Sequence, residues 1–167
     1  MQKDTIAIIG ASEILGKIIA KSVGRSNYRL LLMDKDALQL NLLKDDILES
    51  YSSAEVDVNA CCKNASWEAD IILVAVQPES QLEIAEKFKD VATQKIVLFI
   101  NPLPHLRNGL QQLLPFTKLG YIFIDITHNQ NINLTNSISA IIEGDNAAAL
   151  HTATKIIQTA GFITTKD

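Results

Sequence analysis

Gly10, Ser12 and Leu15 stand at the three places where the phosphate-binding pattern G-x-G-x-x-G carries glycine. A wider frame, G-x-x-G-x-x-G, matches Gly10 and Gly16 and puts Glu13 at its middle place. Both frames lie in TIAIIGASEILGKIIAK, residues 5–21. Ile6-Ala7-Ile8-Ile9 is the unbroken apolar run of a strand covered on both faces. Gly10 supplies the turn, and Ile14, Leu15, Ile18 and Ile19 recur at helical spacing. A helix that starts just past a strand's carboxyl end presents unpaired N–H groups and a partial positive charge. A pyrophosphate fits there. The Ser12 hydroxyl can cap the helix or donate to a phosphate. The Glu13 carboxylate would repel a pyrophosphate unless turned to solvent. These residues alone leave two readings open: a phosphate loop contacting its ligand through Gly10, Ala11, Ser12, Ile14 and Leu15, or a strand–turn–helix that binds nothing.

The next acidic strand end bears on the same choice. Asp34 closes the run YRLLLM roughly 20 residues on, the distance at which a carboxylate receives the hydroxyls of an adenosine ribose. Such a carboxylate repels the 2′-phosphate of NADP, whereas the ammonium of Lys35 could receive it. NAD is therefore favoured and NADP stays open. The alternative is that Asp34 and Asp36 only cap the following helix.

The elements that must position these groups alternate. Strands are expected at residues 6–9, 28–33, 55–60, 71–76, 96–100, 121–126 and 139–143, with a short last one at 162–165. Helices are expected from Ile14, over 37–48, from Pro78 to Val91, over 105–114 and from Asp145 to Ala160, with a helical turn at 64–68 and Asp145 as the last N-cap. Leu82, Ala85, Phe88 and Val91 should line the inward side of the fourth-strand helix. Residues 127–137 are polar and read as a surface loop. The fold class is α/β: a doubly wound, mostly parallel Rossmann-type sheet flanked by helices. In such sheets a ligand lies outside the carboxyl ends of the strands, where strand order reverses. That adds Val76, Gln77, Pro78 and Asn101 to the candidates. Gln77 and Asn101 offer amides to a ribose or carboxamide, unless they bond to their own loops. Asn101 and His105 are the candidates for chemistry, His105 as a proton donor to a carbonyl or imine. The competing reading of His105, His128 and His151 is a solvated or structural role.

Composition narrows the classes. The chain has 167 residues, 47% hydrophobic and 20% charged, at net charge −4. One domain over residues 1–167, without a separate C-terminal substrate domain, is expected. No basic block is present and aromatics are 5%, which disfavours nucleic acid. No apolar run approaches the ~20 residues of a membrane helix, and MQKDT lacks a signal peptide's start. A cytoplasmic location and no membrane partner are expected. The adjacent Cys61 and Cys62 form no disulfide or metal framework, and no metal site is expected.

Four stretches in this order, IAIIGASEILGK, EADIILVAVQPE, IVLFINPL and IIEGDNAAALHTATKIIQTAGF, cover most of the chain. Together they resemble a superfamily that includes deazaflavin-dependent NADP oxidoreductases, pyrroline-5-carboxylate reductases, prephenate dehydrogenases and 3-hydroxyisobutyrate dehydrogenases. The resemblance implies a bound nicotinamide dinucleotide, contacts from the end of the fourth strand, and a nicotinamide near the turn after the fifth. It also implies hydride transfer to a small carbonyl or imine compound. Such proteins usually continue into a helical domain that completes the substrate pocket, often by dimerisation. A homodimer is the expected cover for the open face of a single such domain. A non-catalytic nucleotide-binding or scaffold module is the alternative.

Overall fold

The computed structural model describes residues 2–127 and 135–165. Its eight strands form one sheet in the order β3-β2-β1-β4-β5-β6-β7-β8. The strands are β1 (Asp4–Ile9), β2 (Tyr28–Met33), β3 (Glu55–Val58), β4 (Ile71–Val74), β5 (Ile96–Ile100), β6 (Lys118–Ile124), β7 (Ser139–Glu143) and β8 (Ile163–Thr165). β1 to β6 run parallel, β7 is antiparallel to β6, and β8 is parallel to β7. Among the described residues six α-helices flank the sheet: α1 (Ile14–Val23), α2 (Ala37–Ser50), α3 (Cys62–Glu68), α4 (Gln81–Phe88), α5 (Arg107–Leu113) and α6 (Ala147–Thr159). The doubly wound, mostly parallel α/β sheet expected from the alternating runs is therefore the observed one.

The unbroken apolar strands are explained by burial on both faces. Ile6 and Ile8 of β1 pack with Ile19 of α1, Leu40 of α2 and Ile156 of α6. Ala7 and Ile9, facing the other way, pack with Ala65 of α3, Ile84 and Phe88 of α4, and Leu110 of α5. Strand order reverses between β1 and β4, so the crevice for a ligand opens there.

Several expected boundaries move. β4 ends at Val74 rather than Val76; Ala75 still donates to Ile9 O at 2.7 Å, and the chain then turns outward. β6 runs from Lys118 to Ile124 rather than 121–126, because Lys118, Leu119 and Gly120 pair with β5. A Cβ on Gly120 would lie 2.8 Å from Leu98 Cδ2, so a larger residue there would make the Leu98 side chain shift. β3 stops at Val58, and α3 is a full helix from Cys62 rather than a turn. The N-cap of α6 is Asn146, whose side chain accepts from Ala149 N, and not Asp145. The buried side of α4 is Gln81, Ile84, Ala85 and Phe88; Leu82 is half-buried against α5, and Val91 falls in a 3₁₀ turn beyond the helix. His105 lies on the 3₁₀ turn Pro104–Leu106, so α5 starts only at Arg107.

Within the expected loop of residues 127–137, Thr135–Ser137 forms a 3₁₀ turn. His128 lies outside the described residues. Among the described residues no helix is long and apolar enough to cross a membrane, and no group of three His, Cys, Asp or Glu could hold a metal ion. Cys61 is exposed. Burial pushes the Cys62 thiol above its ordinary pKa, which keeps it protonated and poorly reactive.

Candidate functional site

A cleft of about 180 Å³ lies over the carboxyl ends of β1, β4 and β5. Ile14, Leu15, Val76, Gln77, Pro78 and Asn101, all selected from the sequence, line it. Glu13 and Ile126 also line it, and the sequence pattern does not single them out as contacts.

The floor is a close-packed crossing that requires glycine twice. Gly10 has φ +85°, and a Cβ there would stand 2.6 Å from Val76 N. The turn after β1 thus touches the end of β4 backbone to backbone. Gly16 lies inside α1, and a Cβ there would stand 2.2 Å from Gly10 O. Close helix-on-turn packing is the job of the last glycine in a dinucleotide fingerprint. Gly16, not position 15, does it here. The wider frame is therefore the one that the fold uses, and Glu13 occupies its middle place.

The other side of the turn is tied to β2. Gly10 N and Ala11 N both donate to Met33 O, at 2.9 and 3.2 Å. Asp34 accepts from Ser12 N at 3.1 Å, from the Ser12 hydroxyl, and from Lys35 N at 2.6 Å. The helix is capped by Asp36, which accepts from Gln39 N at 3.1 Å, so Asp34 is not a helix cap. Lys35 is exposed beside it.

No protein-family model and no curated protein matches the sequence. Solved structures match in shape. Prephenate dehydrogenase from A. aeolicus, solved with hydroxyphenyl propionate and NAD+, superposes with a TM-score of 0.77 at 12% identity, over 100% of this chain and 60% of that one. Pyrroline carboxylate reductase from Plasmodium falciparum, solved with NADP, gives 0.69 at 12% identity, over 100% and 58%. An Arthrobacter protein described as an F420-dependent NADP reductase gives 0.70 at 16% identity, over 97% and 84%. The chain has a Rossmann-type fold. It spans about three fifths of the dehydrogenase and of the pyrroline carboxylate reductase.

Within this Rossmann domain the geometry sorts the candidates. Glu13 is half-exposed at the mouth of the cleft. Its carboxylate accepts from Gln77 Nε2 at 3.0 Å, so a side-chain bond bridges the β1–α1 turn and the turn after β4. Asn101 has φ +50°, a left-handed conformation that asparagine tolerates better than most residues. Both ends of its amide are engaged: Nδ2 donates to Ile124 O and Oδ1 accepts from Ile124 N, each at 2.8 Å. Asn101 therefore clamps the end of β5 to the end of β6, and its side chain is not a free amide facing a ligand. His105 is exposed and lies outside the lining of the cleft. His151 is exposed on α6, beside residues of β7 and β8 and away from the cleft.

Sequence reasoning misses Gln81. It is fully buried at the start of α4, and its Nε2 donates to Ile100 O at 2.6 Å and Val76 O at 3.4 Å. It thereby ties together the two strand ends that wall the cleft. No local pattern distinguishes it from a surface glutamine, because its burial depends on β5 lying alongside. Loss of the Asn101 clamp should be costly. Asn101→Ala removes two hydrogen bonds of roughly 1 kcal/mol each and leaves alanine at a positive φ. The expected outcome is about 2 kcal/mol or more of lost stability in urea unfolding, with Asn101→Gly less harmful because glycine accepts the backbone angle.

Proposed function

We propose that this chain binds a nicotinamide dinucleotide across the crevice between β1 and β4, with NAD preferred to NADP. The observation that carries this reading is the meeting of the α1 N-terminus, the Gly10 turn and the Val76–Pro78 turn at the point where strand order reverses. Two of the relatives in shape named above were solved with NAD+ or NADP, which supports the same class of ligand.

The residues present fit most of such a molecule. The first N–H groups of α1 and the Gly10 turn would hold the pyrophosphate. Asp34 would hold the adenosine ribose. A carboxylate offers about four lone-pair sites, and three donors already use Asp34. The ribose hydroxyls would share or replace the Ser12 hydroxyl. The same carboxylate disfavours a 2′-phosphate, although exposed Lys35 beside it offers that phosphate a partner. The Val76–Pro78 turn and the Asn101 turn would flank the nicotinamide end. When bound, the dinucleotide supplies hydride, here to a small carbonyl or imine compound. The adverse feature is Glu13, whose charge must share the crevice with the pyrophosphate.

A second reading is a non-catalytic nucleotide-binding module, and one observation favours it. Among the described residues lining the cleft, Glu13 is the one titratable side chain. Turnover would then need a proton donor from a second copy or another segment.

Thermal unfolding with NAD+, NADH, NADP+ and NADPH tests both readings. A ligand at ~100 times its dissociation constant adds ~2.7 kcal/mol, or roughly 5–11 °C for a chain of this size. The expected outcome is a shift with NAD(H) that exceeds any shift with NADP(H). A shift without turnover of any carbonyl or imine probe would select the non-catalytic reading. No shift with any of the four at millimolar concentration would overturn the oxidoreductase reading for this chain alone.

A further inference from the structure

A second hollow, of about 470 Å³, lies away from the crevice. It is bounded by α5, by β6 and β7, and by the Gly144-Asp145-Asn146 turn into α6. β7 runs antiparallel to β6, with Glu143 opposite Tyr121, so this turn sits toward the amino end of β6. The carboxyl ends that form the crevice point the other way. Its volume falls in the ordinary range for small-molecule sites.

Tyr121, 1% exposed, is part of its lining, with its ring stacked on Phe99. The Tyr121 hydroxyl is buried and has no well-formed hydrogen bond among the described residues, with the Arg107 and Gln111 side chains as its polar neighbours. A buried hydroxyl without a partner is destabilising, and a tyrosine buried this deeply usually finds one. Burial raises its pKa, while the nearby Arg107 and Gln111 side chains act in the opposite sense. At neutral pH it is a donor.

Arg107 lies over the Tyr121 ring, 4.4 Å from its centroid. Its Nη1 donates to Glu143 Oε2 at 2.8 Å. A guanidinium carries several N–H donors in a planar fork, so this bond leaves capacity for a further acceptor. One guanidinium and two carboxylates, Glu143 and Asp145, thus border one hollow. A purely anionic ligand would face both carboxylates. A purely cationic ligand would face the guanidinium. A small zwitterion satisfies both signs and supplies an acceptor for the Tyr121 hydroxyl.

We propose that this hollow is a second ligand site, distinct from the crevice, that binds a zwitterion of the α-amino-acid class. The ligand carboxylate sits on Arg107 and the Tyr121 hydroxyl, and its ammonium sits on Glu143 and Asp145. The proposal does not depend on dinucleotide binding.

The test is saturation-transfer NMR and thermal unfolding of the whole chain with each of the twenty proteinogenic L-amino acids. For every amino acid that binds, the matching amine without the carboxylate and the matching acid without the amine are run beside it. At least one amino acid is expected to bind, with both truncated probes weaker by about tenfold or more, the effect of losing one charge-assisted hydrogen bond. Tyr121→Phe and Arg107→Gln should each weaken binding by a similar factor. Unliganded Tyr121→Phe should be at least as stable as the parent, since it removes a buried hydroxyl without a well-formed hydrogen bond, and this variant keeps the test decisive if Arg107→Gln fails to fold. Absence of binding by all twenty, binding unchanged by Tyr121→Phe, truncated probes that bind as well as the zwitterion, or a strongly destabilised Tyr121→Phe would each overturn the proposal.

Discussion

Gly16→Ala is expected to destabilise the chain by about 3 kcal/mol, near the upper end for forcing one extra carbon into a packed interior. Two effects oppose each other. Alanine inside a helix is favoured over glycine by roughly 1 kcal/mol. Against that, the new Cβ would stand 2.2 Å from Gly10 O, a backbone atom held in place because Gly10 N donates to Met33 O. Overlap of that size cannot be relieved by a side-chain rotation, so α1 must lift off the turn. The melting temperature should fall by roughly 6–12 °C. Any dinucleotide affinity should fall with it, because the lifted helix carries its N–H groups away from the crevice. A variant as stable as the parent would mean that α1 does not cross the turn this closely. The preceding position is the natural contrast: Leu15→Gly should lose apolar burial and helix propensity but leave the crossing intact, since a side chain is already accommodated there.

Glu13→Gln is expected to tighten dinucleotide binding by about tenfold. The change removes a charge and keeps a group able to accept from Gln77. Two unit charges about 8 Å apart at an effective dielectric constant near 20 repel by ~2 kcal/mol. Salt screening reduces this, and about 1.4 kcal/mol corresponds to tenfold. The unliganded protein should lose less than ~1 kcal/mol, the worth of an acidic group near a helix N-terminus. Titration by calorimetry at low and high salt checks the idea. The gain should shrink as salt rises. If the affinity does not change, the pyrophosphate does not approach Glu13. If binding is lost, the Glu13–Gln77 bridge organises the site rather than obstructing it.

Much of the architecture was legible in the sequence because parallel strands between two helical layers are apolar at every position. ILVA-type runs at residues 6–9, 71–74 and 96–100 need no alternation to be read. The positions of Gly10 and Asp34 were also legible, since a strand end followed by a turn or a cap has a local signature. The early start of β6 was hidden. Lys118 and Gly120 carry no strand signal, and their pairing with β5 comes from contacts distant in sequence.

The amino-acid sequence by itself determined that strands and helices alternate, that the first turn faces a helix N-terminus, and that an acidic residue closes β2. These follow from periodicity and composition within short segments. Only the tertiary structure decided which glycine frame operates, that Glu13 reaches across to Gln77, that Asn101 is bound to Ile124, and that the Tyr121 hydroxyl is buried beside Arg107 without a well-formed hydrogen bond among the described residues. Each of these joins residues far apart along the chain. A side chain's own segment records whether it is apolar or polar, but not which distant backbone or charge will stand opposite it once the sheet has closed.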